Sequence, residues 1–181
     1  MLMKRSIVLL FACLVLAAAA SAQVVESANA RRLRIYAGGE ASVFQPNYAG
    51  AGVAQTAPNR LYGWGVFVDA HFNRWVQIEA EMRQLTFKQY LGITETTYMV
   101  GERLPIVHFK RFTPYGKAMI GLGSGSFLTG TAMAYSYGGG LDYRISKKFV
   151  LRAFDIQFQN WQVTPSLHPY GASVGLSYRV F

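Results

Sequence analysis

Acidic and basic side chains recur at every second position in several stretches of this 181-residue chain. Gln77, Glu79, Glu81 and Arg83 alternate with Val76, Ile78, Ala80 and Met82, and Asp69 stands two residues before His71. Carboxylates beside a histidine could do acid–base chemistry or hold a metal ion. A metal would need a second soft or nitrogen ligand at workable spacing. His108 falls in an expected turn, His168 falls in a loop, and the single cysteine is Cys13. Hydrolysis would need a nucleophile with an adjacent base, and no serine–histidine pair stands out. The glycines at 63/65, 121/123 and 138/140 lack the strand-to-helix setting of a phosphate loop; they suit a narrow interior instead. No catalytic residue, cofactor or metal is therefore expected. What remains is charge pairing. The acids Glu40, Asp69, Glu79, Glu81, Glu95, Asp142 and Asp155 equal in number the bases Arg34, Arg83, Arg103, Lys117, Arg144, Arg152 and Arg179. Charges held in an interior too narrow for bulk water must pair or be costly. The bland chemistry is a structural salt-bridge network; the sharper alternative is a gated ion path along the same groups.

The elements that would position these groups are β-strands, because successive strand side chains point to opposite faces. Alternating segments near 33–44, 61–72, 75–87, 95–106, 113–124, 133–145, 148–160 and 169–181 recur about every 20 residues, separated by turn chemistry. In each the apolar parity opposes the charged one. Tyr62, Trp64, Val66, Val68, Ala70 and Phe72 face one way, and Gly63, Gly65, Phe67, Asp69 and His71 the other. The seventh segment breaks this rule: Leu151 and Ala153 oppose Arg152, yet Asp155, Gln157 and Gln159 share the parity of Leu151. One extra residue near Ala153 to Asp155, a β-bulge, restores both halves.

Alternation alone does not say whether lipid or water meets the apolar face, since a soluble lipocalin-like barrel shows the opposite sense. The aromatic residues favour lipid. Trp64, Trp75, Trp161, Tyr135 and Tyr178 lie near strand ends, where girdles form at the two bilayer interfaces. The start of the chain agrees. Lys4 and Arg5, an apolar run to Ala20 and the triplet Ala20-Ser21-Ala22 compose a secretory signal peptide over residues 1–22, cleaved before Gln23. A polar lead, 23–32, and the barrel, 33–181, would follow. The expected fold is thus all-β, an eight-stranded antiparallel up-and-down transmembrane β-barrel. Long connections at 45–60, 88–94, 125–132 and 161–168 alternate with short ones at 73–74, 107–112 and 146–147. Long loops belong outside and tight turns inside, so both termini are expected in the periplasm. There Arg31, Arg32, Arg74, Lys110, Arg111, Lys147 and Lys148 would form a basic rim facing anionic headgroups. The net charge of +9 makes no helical stripe, so nucleic acid is not an expected partner.

The segments Thr97–Arg103, Thr113–Gly121, Gly138–Arg144, Leu151–Asp155 and Val174–Arg179 together resemble the OmpA-like eight-stranded outer-membrane β-barrel family, the outer membrane protein β-barrel domain. The resemblance implies residence in the bacterial outer membrane, contact with its lipids and delivery through the barrel-assembly machinery. It also implies that Tyr178 and Phe181, in the aromatic last strand, serve as the barrel-insertion signal. A monomer with a structural, envelope-integrity or surface-interaction role is the expectation, and a barrel enzyme acting on envelope lipid or a small gated ion pore the alternatives.

Overall fold

The computed structural model describes residues 33–46, 60–73, 75–87, 92–107, 109–126, 128–164 and 166–181. The signal peptide and polar lead expected at 1–22 and 23–32 lie outside the described residues. Eight strands follow in order: β1 (Arg34–Gln45), β2 (Leu61–His71), β3 (Gln77–Phe87), β4 (Glu95–Pro105), β5 (Phe112–Gly125), β6 (Thr131–Arg144), β7 (Phe149–Trp161) and β8 (Tyr170–Arg179). Each pairs antiparallel with its sequence neighbour, and β1 pairs with β8 to close the barrel. Closure satisfies every edge, which a sheet in hydrocarbon requires.

The two ends of the barrel differ in their connections. At the end where β1 starts and β8 finishes, here the terminal end, the turns are short and built by side chains. Asn73 Oδ1 accepts the N–H groups of Trp75 and Val76 at 2.7 and 2.8 Å, and Ser146 Oγ accepts those of Lys148 and Phe149 at 3.1 and 3.0 Å. Such local bonds satisfy turn backbone that would otherwise need water. The opposite, loop end carries the three long connections, 46–60, 88–94 and 162–169, and one short one, 126–130.

Apolar residues cover the outside. Val66, Val68, Ile78, Val100, Ile120, Leu122, Ile156, Val174 and Leu176 are all exposed on the outward face. Paired aromatic rings band the terminal end, Phe112 with Tyr143 at 4.9 Å and Phe149 with Tyr178 at 5.1 Å between centroids. Trp64, Trp75 and Tyr135 are likewise outward and exposed.

Trp161 is not part of such a girdle: its side chain is fully buried inside the barrel. The cause is the bulge in β7. Arg152 pairs with Asp142 and Phe154 with Leu141, which leaves Ala153 as the extra residue, and on the other side the register shifts between Arg152 and Asp155. Everything beyond the bulge changes parity. Asp155, Gln157, Gln159 and Trp161 therefore all point inward, while Phe154, Ile156 and Phe158 meet the outside. Trp161 joins Phe44, Leu61, Leu85, Ile93, Met99, Met119, Ala132, Ala134 and Leu167 in an apolar plug that fills the loop end of the lumen. Gly123 makes room for the indole, since a Cβ there would lie 2.7 Å from its ring.

Candidate functional site

Below the plug the lumen is charged. Glu40 comes from β1, Asp69 from β2, Glu79, Glu81 and Arg83 from β3, Arg103 from β4, Lys117 from β5, Asp142 from β6, and Arg152 and Asp155 from β7. Each occupies the inward parity of its strand, and alternation alone brings them to a common axis. All but Asp142 belong to the buried set, and Glu79 and Asp155 are fully enclosed.

The pairs form one connected web. Lys117 Nζ lies 2.9 Å from Glu79 Oε1, 3.2 Å from Glu81 Oε2 and 2.9 Å from Asp155 Oδ2. Arg152 reaches Glu79 Oε2 at 2.6 Å and Glu40 Oε2 at 3.1 Å. Arg83 Nη2 meets Glu40 Oε1 at 2.9 Å and approaches Glu81 Oε1 at 2.7 Å. The second approach is not aligned as a hydrogen bond, for Glu81 Oε1 accepts none, so that attraction is coulombic. Arg103 spans Asp69 at 3.1 Å and Asp142 at 2.6 Å. Glu79 is the hub, touching Lys117, Arg152 and, at 3.7 Å, Arg103.

Neutral groups complete the web. Gln157 accepts from Arg83 Nη1 at 2.8 Å and donates to Glu81 at 3.0 Å. The Ser173 hydroxyl donates to Glu40 at 3.2 Å, and the Tyr115 hydroxyl donates to Asp155. The flat faces of the guanidinium groups are covered by rings: Arg83 by Phe44, Arg103 by Tyr115 and Arg152 by Phe67, at 4.3, 3.6 and 3.7 Å from the centroids. Arginine suits this double use, its edge on carboxylates and its face on an aromatic, because its charge is delocalised over a plane.

Two of the residues expected in the network lie elsewhere. Arg144 is exposed at the terminal end and donates to the Lys110 carbonyl at 3.0 Å; Arg179 donates through Nε to the terminal carboxylate oxygen of Phe181 at 3.2 Å. Their parity is inward, but their height puts them below the paired layer. The described web accordingly holds six carboxylates against four cations. Arg34 lies with them at the terminal end, and Glu95 lies toward the loop end, buried. Lys110, Arg111, Lys147 and Lys148 are exposed at the terminal end, and Arg31, Arg32 and Arg74 lie outside the described residues. Sequence reading missed Tyr115, Gln157 and Ser173 as network members, and missed the plug. The inward parity of Leu61, Leu85, Met99 and Met119 is the signal that marks the plug.

His71 packs against the Tyr36 ring with centroids 4.7 Å apart and planes tilted by 36°. Among the described residues no group of three histidine, cysteine or acidic side chains is arranged for a metal ion. With its charged groups tied to one another, the web can hold strands in place and fill space.

Three comparisons bear on this barrel. The family model described as outer membrane protein beta-barrel domain matches residues 9–179. No curated protein matches the chain. Among solved structures, it is similar to Neisserial surface protein A, at 12% identity and a TM-score of 0.63 over 80% of this chain and 96% of that one. It is also similar to the outer membrane protein OprG from Pseudomonas aeruginosa, at 12% identity and a TM-score of 0.51 over 81% and 95%. A third is the N-terminal β-barrel domain of Pseudomonas aeruginosa OprF, at 13% identity and 0.50 over 82% and 99%. At these identities the likeness is one of fold.

Proposed function

Because this chain belongs to the outer membrane protein beta-barrel domain family, and so resides in the bacterial outer membrane, we propose that it serves there as a closed barrel. Its role is structural or surface-interacting, neither enzymatic nor that of an open pore. The observation that carries this reading is the web itself: four buried cations and six carboxylates locked together across the lumen, beneath an apolar plug. An eight-stranded barrel has an interior only wide enough for side chains, and here those side chains are tied to one another. An ion entering would have to break buried pairs in an interior too narrow for bulk water to replace them. Purified protein in a planar bilayer is therefore expected to give no steady conductance. Reproducible ohmic steps from the wild type would replace this reading with a gated pore along the same charges.

Both termini are read as periplasmic, on the support of the three short turns at the terminal end and the long connections 46–60, 88–94 and 162–169 at the other. The exposed aromatic residues Tyr178 of β8 and Phe181 just beyond it suit recognition by the assembly machinery, and the barrel is read as a monomer in contact with outer-membrane lipid. In intact cells a membrane-impermeant maleimide is expected to label Thr129→Cys, in the connection after β5, and to spare Lys147→Cys, in the turn after β6. The reverse labelling would invert the topology.

A further inference from the structure

The terminal end of the lumen opens into a cavity of about 460 Å³ lined by Arg34, Arg111, Arg144, Lys147 and Arg179, with Tyr36 also in its wall and no acidic residue among the lining groups. This mouth differs in kind from the layer above it. In the layer each cation is met by carboxylates; in the mouth five cations converge on one concave space. Asp142, in the adjoining layer, is engaged by Arg103 at 2.6 Å.

The cations are also held in position. Arg144 uses one donor on the Lys110 carbonyl, and Arg179 one on the terminal carboxylate oxygen of Phe181. A guanidinium has five N–H donors, so each keeps most of its fork for another acceptor. Arg34, Arg111 and Lys147 have no side-chain partner among the described residues. Arg34, Arg144 and Arg179 continue the inward rows of β1, β6 and β8, while Arg111 and Lys147 come from the two turns beside them. Like charges in a concavity repel until an anion enters, and planar forks match the oxygens of phosphate in pairs.

We infer that this mouth is a binding site for a phosphate-bearing anion. The chemistry fits a soluble polyphosphate or the headgroup phosphate of an anionic lipid, and the assignment does not depend on which compartment the terminal end faces.

Calorimetric titration of the full chain in zwitterionic detergent with tripolyphosphate is expected to show one site per barrel. Arg34→Gln with Arg111→Gln should weaken it about tenfold or more, a change of about 1.4 kcal/mol. Lys110→Gln with Lys148→Gln removes the same charge from the same rim but outside the cavity, and should change affinity less than about threefold, on the scale of weak exposed charge contacts. If tripolyphosphate does not bind but one phosphatidylglycerol is retained per barrel from mixed nanodiscs, and is lost in Arg34→Gln with Arg111→Gln, the site stands with lipid as its source. Three results overturn it: neither phosphate form binds, the Arg34 and Arg111 changes have no effect, or the Lys110 and Lys148 changes weaken binding equally. Both single arginine variants carry the same test should the double variant fail to form a heat-modifiable barrel.

Discussion

Arg152→Ala is expected to lower the unfolding free energy by on the order of 3 kcal/mol, because it strips a cation from two buried carboxylates. The guanidinium it removes stands 2.6 Å from Glu79 and 3.1 Å from Glu40. The web already holds six acids to four bases, so the change worsens an existing excess. Glu79→Gln moves the other way and should cost less, even though Glu79 is the hub. Combining the two returns the web to its original excess of carboxylates. The double variant should therefore be more stable than the sum of the single losses predicts, by about 1 kcal/mol or more. Arg152→Met keeps an apolar stem over Phe67 and separates the effect of packing from that of charge. Urea unfolding in lipid vesicles reads the wild type and all four variants. Strict additivity would mean that Arg152 acts through packing alone.

Trp161→Ala should cost about 3–5 kcal/mol, the range for emptying a large aromatic site in a packed core. Its indole is fully buried, donates to Gln159 Oε1 at 2.9 Å, and fills the space left by Gly123. The loop end closes over it: the Trp161 N–H donates to the Leu167 carbonyl at 2.9 Å, and Leu128 and Val163 pack on the cluster. Trp161→Phe should recover most of that stability. A cost below about 1 kcal/mol for Trp161→Ala, within the spread of surface substitutions, would show that the side chain does not fill the lumen.

The strands and their faces were legible because a period of two leaves no freedom: once Glu79 points inward, so do Glu81 and Arg83. The bulge was legible for the same reason, since Arg152 and Asp155 cannot both face inward without it. Depth was not legible. Parity places Arg144 and Arg179 on the inner face but says nothing of height, and a side chain at the mouth meets water where one in the middle meets a carboxylate. Residue type alone assigns Trp161 to a girdle, although the shift that turns Asp155 inward also turns every second residue after it. Tyr115 and Gln157 carry no formal charge, and charge is the feature that marks the network in the sequence.

The web also constrains how the barrel can be made. Glu40 and Arg152 are 112 residues apart, and Glu40 and Ser173 are 133 apart. Strands β3 to β5 hold some of their own counterions, Lys117 with Glu79 and Glu81, but no run of adjacent strands shorter than β1 to β7 brings Glu40 to Arg152. A half-zipped sheet would thus expose unmatched charge along its inner surface, where hydrocarbon could not solvate it. Contacts this distant in sequence are reached late, after the entropy of many loop closures has been met. The last of these charges are matched only as β1 and β8 come together, so sealing the barrel and completing the web coincide.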